Sequence, residues 1–112
     1  LEKLSLFLSS LLVDEDVFVI ASSDMSHFFS EAIAQRMDKK AIDLVLDGDL
    51  NVLYQASQAK VIQYCGIEPV IVTGKLMDLW DIGDCSLLKY DHSGSITQDK
   101  DSVVGYCSIV YT

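Results

Sequence analysis

Ser22-Ser23-Asp24-Met25-Ser26-His27 is the segment whose residue types and spacing are best suited to chemistry. It directly follows a continuous apolar run, Val17-Phe18-Val19-Ile20-Ala21, whose β-branched and aromatic residues predict a buried strand. Ligands of open α/β sheets bind beyond the carboxyl ends of the strands, which is where this segment falls. Asp24 offers a hard anionic oxygen and His27 an imidazole nitrogen, with Ser22, Ser23 and Ser26 supplying hydroxyls that can orient them. An aspartate and a histidine at this spacing can converge on one metal ion from a tight loop. The plainer alternative is an Asx-turn aspartate beside a satisfied loop histidine. A catalytic metal site takes about three protein ligands, and an iron facial triad takes two histidines and a carboxylate. The segment is therefore a partial constellation.

Cys65 is the candidate thiol, because Gly66 after it marks a loop in which backbone can approach a ligand closely. Its plainer reading is a buried, inert cysteine. Cys85 and Cys107 fall in or beside apolar stretches and read as core. His92, the other histidine, sits in a polar turn and reads as solvent-exposed. Thr73-Gly74-Lys75-Leu76 lacks the upstream glycine and the following Ser or Thr of a P-loop. The acidic stretch from Asp91 to Asp101 does not have the spacing of an EF-hand.

The elements that must position these residues follow from periodicity. Leu1, Leu4, Leu8, Leu11 and Leu12 recur at helical spacing, and Asp14-Glu15-Asp16 forms an acidic turn before the Val17–Ala21 strand. A run apolar on both faces suits a central strand covered by helices on either side, and so a parallel or mixed sheet. A long amphipathic helix begins after Ser30 and ends at Gly48, with Ile33, Met37, Ala41, Leu44 and Val45 on the apolar face. Its solvent face carries Arg36, Asp38, Lys39, Lys40 and Asp43. A shorter helix runs from Leu50 to Lys60, and another from about Pro69 to Trp80 with Gly83 as its stop. Ser86–Tyr90 and Val103–Tyr111 read as strands joined by a polar segment that turns at Ser93-Gly94.

Composition narrows the class of partner. With 112 residues, half of them hydrophobic, the chain has material for one core. A net charge of −9 with only eight Lys and Arg argues against nucleic acid, whose binding depends on clustered cations. Three widely spaced cysteines without a C-x-x-C pair indicate neither a disulfide framework nor a zinc ribbon and suit a reducing cytoplasm. The uncharged stretches are shorter than the roughly 18 apolar residues of a membrane span. Because the first residue is Leu1 and the apolar pattern starts at once, residues 1–112 are expected to be the C-terminal portion of a single larger domain.

Four segments taken in order resemble one family. They are Val19-Ile20-Ala21-Ser22-Ser23-Asp24-Met25-Ser26-His27, Cys65-Gly66-Ile67-Glu68-Pro69, Lys89-Tyr90 with Ser93-Gly94, and Ser102-Val103-Val104-Gly105-Tyr106. Together they look like the Memo family. The resemblance implies a three-layer α/β/α fold, a mixed sheet flanked by helices, similar to class III extradiol dioxygenases, whose members hold non-haem iron. It also implies a pocket that includes Asp24, His27 and Cys65. Combined with the reading of the residues, the expectation is that Asp24 and His27 are ligands of iron or copper, that Cys65 and His27 act catalytically, and that the Ser23 and Ser26 hydroxyls are in supporting contact with the cofactor. Further histidines would come from the family's N-terminal half, which is the first partner expected for this portion. Phe28 stands where the family usually has Tyr or Trp, and Ser95 replaces an Asp that commonly follows Ser-Gly.

The resemblance constrains the reaction less than the fold, since copper-linked oxidase activity and phosphotyrosine-peptide binding have both been attached to the family, and bacterial members occur beside a radical-SAM protein. Three readings stand. One is a metal-dependent redox protein. Another is a non-catalytic module that uses the same pocket for a peptide or protein, with basic residues such as Arg36 meeting any phosphate. In the third, this portion has no activity of its own and serves as a structural part of the larger domain.

Overall fold

A computed structural model describes residues 1–112. The chain runs α1 (Glu2–Leu12), β1 (His27–Phe29), α2 (Glu31–Asp47), α3 (Leu50–Gln58), α4 (Ile67–Leu79), β2 (Cys85–His92), α5 (Gly94–Thr97) and β3 (Val103–Tyr111). It is an α/β structure whose sheet has the order β1-β3-β2. Both pairings are antiparallel. Helix α2 packs against β2 and β3, α3 packs against α2 and α4, and α1 lies along α4. None of the helices is long and apolar enough to cross a membrane.

Local chemistry accounts for most element ends. Ser30 precedes α2 in extended backbone, and Gly48 ends it in the left-handed region, its N–H bonded to the Val45 carbonyl. Asp49 caps α3 by accepting from the Val52 N–H. Pro69 lies in the first turn of α4, where a missing N–H costs nothing. That helix stops at Leu79, before Gly83, and the left-handed residue after it is Asp81. Strand β2 extends two residues beyond the expected Tyr90, because Asp91 and His92 pair with Tyr106 and Gly105. The turn at Ser93-Gly94 opens into the short helix α5.

The core is built from Met25, Ala41, Ile42, Val45, Leu53, Ile62, Tyr64 and Ile71. Its orientation on α2 differs from the sequence expectation. The buried residues of this helix are Ala34, Asp38, Ala41, Ile42 and Val45, whereas Ile33 is exposed. Asp38, assigned by its charge to the solvent face, has no exposed surface.

The apolar run Val17–Ala21 is not a strand in this chain. Its residues make no backbone–backbone hydrogen bond, and Phe18 and Ile20 are 86% and 76% exposed. A strand exists through its partners, and no segment of the chain reaches either edge of this one. The run lines a largely apolar hollow of about 710 Å³ with Tyr64, Met77, Trp80, Ile109 and Tyr111. The radius of gyration is 14.8 Å, against about 13 Å for a compact domain of this length. Only 20 of the 112 residues are buried, so the covered core is small for the apolar content.

Candidate metal centre

The loop between the apolar run and β1 carries Asp24 and leads into His27, the first residue of that strand, and the loop before α4 carries Cys65. Four hydrogen bonds, three of them between main-chain groups, bring these segments together and fix them to the sheet. Cys65 N donates to Asp24 O at 3.1 Å, and Asp24 N donates to Cys65 Sγ at 3.1 Å. Met25 N donates to Gly105 O and Gly105 N to Ser26 O, both at 3.0 Å, so the Asp24–His27 loop lies on β3. The close approach depends on Gly66, where a Cβ would stand 2.7 Å from the Ser22 carbonyl oxygen.

These contacts place a carboxylate oxygen, an imidazole nitrogen and a thiol sulfur within 4.8 Å of one another. Asp24 Oδ2 and His27 Nε2 are 3.7 Å apart, beyond hydrogen-bond reach, so neither is committed to the other. The Asp24 and His27 side chains are 50% and 32% exposed, and Cys65 is exposed. The three donors therefore face an opening rather than the core. They suit a cation of intermediate softness, since oxygen, nitrogen and sulfur are each represented.

The supporting contacts divide the serines. Ser23 Oγ accepts from Gly66 N at 2.8 Å, donates to Asp24 O at 2.8 Å and lies 3.7 Å from Cys65 Sγ, so Ser23 orients the thiol. Ser26 is buried and turned inward, its N–H and hydroxyl both bonded to Asp38. His27 N donates to Gln63 Oε1 at 3.0 Å.

Strand β1 is irregular where the imidazole leaves it. His27 pairs with Val104 and Phe29 with Val103, which leaves Phe28 as an extra residue with a left-handed φ of 66°. A bulge of this kind redirects neighbouring side chains, and such backbone costs about 1–3 kcal/mol. The Phe28 ring, 74% exposed, meets the His27 imidazole edge-on at 6.0 Å.

The remaining candidates lie elsewhere. Cys85 and Cys107 are half-buried in β2 and β3. Burial pushes the Cys107 thiol from 9.0 up to about 11, with the nearby Asp38 charge adding to it. Burial also raises Cys85. His92 is buried rather than exposed, because β2 continues through it, and its Nε2 lies 3.6 Å from Glu31 Oε1. Arg36 is an exposed residue of α2.

Three residues that the sequence does not mark as site candidates hold this segment in place: Asp38, Gln63 and Gly105. One signal was available, since a glycine inside a strand pattern marks a close backbone approach. The others have no local signal, because their partners are distant in sequence.

The family described as Memo-like protein matches residues 1–110. A MEMO1 family protein of Methanosarcina mazei is 35% identical over 94 residues, covering 82% of this chain and 34% of that protein. One from Saccharolobus solfataricus is 36% identical, covering 83% of the chain and 32% of the relative. One from Methanothermobacter thermautotrophicus is 34% identical, with 84% and 34% covered. The chain spans about a third of the length of these curated relatives. On the family match and the three relatives together, this chain belongs to the Memo family.

Proposed function

We propose that this chain contributes part of a non-haem metal site to a Memo-family redox protein, with Asp24, His27 and Cys65 as its ligands. The observation that carries this reading is the convergence, within 4.8 Å, of three chemically different donors from the Asp24–His27 segment and the loop before α4. The 3.7 Å separation of Asp24 and His27 supports it further, because both side chains keep their lone pairs available. Iron or copper bound there would supply one-electron and dioxygen chemistry. Asp24 would bring the compensating negative charge, His27 the nitrogen ligand, and Cys65 a soft, redox-active sulfur held by Ser23 and the Asp24 N–H. The opening beside Phe28 is where a substrate would approach His27 and Cys65. A reducing compartment such as the cytoplasm suits an exposed free thiol.

The remaining ligands, in this proposal, come from the part of the family's length that this chain does not span. The same part supplies the strands that pair with Val17–Ala21. That pairing would complete a mixed sheet flanked by helices, in the manner of extradiol dioxygenases. Five apolar residues without a backbone hydrogen bond, beside an apolar hollow, support that completion.

The test is metal content after anaerobic purification with iron or copper supplied, comparing the wild type with His27→Ala and Cys65→Ser. Each variant is expected to retain about a tenth or less of the wild-type metal, in keeping with loss of a direct ligand. Equal metal in the wild type and His27→Ala would leave a binding module as the better account.

A further inference from the structure

Asp38 is the one carboxylate of this chain with no exposed surface. It is not among the ion pairs of the structure. Burying an ionised carboxylate costs several kcal/mol unless donors surround it, and three do. Oδ1 accepts from Ser26 N at 3.0 Å, and Oδ2 accepts from Ser26 Oγ at 2.9 Å and from Tyr90 OH at 2.6 Å. Burial, together with the bond to Asp38, pushes the Tyr90 phenol well above its ordinary value, so it remains a donor. The space for the carboxylate exists only because residue 105 is glycine, where a Cβ would lie 1.9 Å from Oδ2.

Two of those three bonds end on Ser26, the residue immediately before His27. The next amide, His27 N–H, is held by Gln63. Opposite Asp38, the Ser26 carbonyl accepts from Gly105 N–H. The peptide that launches the imidazole is thus clamped by a helix on one side and a strand on the other. Joining α2 to the sheet would not by itself require a charge, since an apolar pair of similar volume does so at lower cost. What the carboxylate adds is direction, because its two oxygens fix both the N–H and the hydroxyl of a single residue.

We infer that Asp38 is a positioning residue for the candidate metal centre: through Ser26 it holds His27 at the distance from Asp24 and Cys65 that lets the three act on one ion. The inference rests on the metal-site reading above. A structural role alone predicts lower stability with unchanged metal affinity in the folded protein.

The experiment compares Asp38→Asn, Tyr90→Phe and the wild type by anaerobic cobalt(II) titration, with urea unfolding of each to confirm that it is folded under the titration conditions. Asp38→Asn keeps the shape and one oxygen but loses the charge. It is expected to weaken cobalt binding by about 10–100-fold, the usual cost of disturbing a group that orients a ligand. Tyr90→Phe leaves both Ser26 bonds in place, so its affinity should stay within about threefold of wild type. A metal-independent measurement accompanies these: NOE cross-peaks between the His27 ring protons and the Cys65 β-protons, expected in the wild type and Tyr90→Phe and lost in Asp38→Asn. Cobalt binding by folded Asp38→Asn equal to wild type overturns the inference, as does retention of its cross-peaks. Failure of the wild type to bind cobalt overturns the metal-site reading instead, and the cross-peaks then decide alone whether Asp38 positions His27.

Discussion

Replacing Gly105 with alanine should destabilise the fold far more than one added methyl group would suggest. The new Cβ would stand 1.9 Å from Asp38 Oδ2 and 2.8 Å from its Cγ. To restore van der Waals contact the oxygen must retreat by roughly 1 Å or more, which carries its hydrogen bonds out of range. That oxygen accepts from Ser26 Oγ and Tyr90 OH, and bonds to an ionised acceptor contribute about 1.5–3 kcal/mol each. The loss is therefore about 3–6 kcal/mol. Gly105 does not occupy the left-handed region, so alanine recovers about 0.4–1 kcal/mol by restricting the unfolded chain. The net cost is about 2–5 kcal/mol, a large part of the roughly 5–15 kcal/mol that holds a domain folded. Urea unfolding followed by Trp80 fluorescence and circular dichroism measures it. In an Asp38→Ser background, where the shorter side chain leaves room, the same replacement should cost less than about 1 kcal/mol. A Gly105→Ala protein within about 0.5 kcal/mol of wild type, or an equal cost in both backgrounds, would refute the role given to this contact.

Other expectations concern the cysteines, the alkaline limit and the unpaired apolar run. Iodoacetamide at about pH 8 should modify exposed Cys65 well before Cys85 and Cys107, whose thiols burial keeps protonated; uniform labelling of all three in folded protein would contradict this. Cys107 titrates at about 11 when folded and 9.0 as its ordinary value, and burial also raises Cys85, Tyr90 and Tyr111. The folded state then holds protons that the unfolded chain releases, so stability is full below about pH 9 and falls as pH rises towards about 11. A urea midpoint at about pH 10.5 no lower than at about pH 8 would argue against it. Phe18→Asp should change the stability of this chain by less than about 0.5 kcal/mol, because the side chain is 86% exposed. The same change in a longer family protein should be severely destabilising if partner strands cover the run, and comparable melting temperatures there would count against that covering.

Residue order alone settled the elements whose stability is local. Helices α2, α3 and α4 and strand β3 follow from hydrophobic period, caps and turn residues, and the structure places them within a few residues of the expected limits. The convergence of Asp24 with His27 was legible too, because three residues in a loop can span little distance. Cys65 stands out locally as a thiol beside Gly66, but its meeting with Asp24 and His27 followed only from family resemblance, since nothing local says which strand end a distant loop will meet.

Tertiary structure decided the rest, wherever the physical cause lies between segments. Asp38 looks like a surface residue by its charge, yet it is buried because Ser26, Tyr90 and the absent side chain of Gly105 make a site for it. Ser26 was grouped with Ser23 as a site hydroxyl, and the same carboxylate turns it inward. His92 was expected in solvent, but the extra pairing of β2 with β3 carries it into the interior. Val17–Ala21 has every intrinsic property of a central strand and still forms none here. Side-chain type sets the propensity to be a strand, whereas hydrogen bonds from a neighbouring segment make one, and within these 112 residues no segment supplies them.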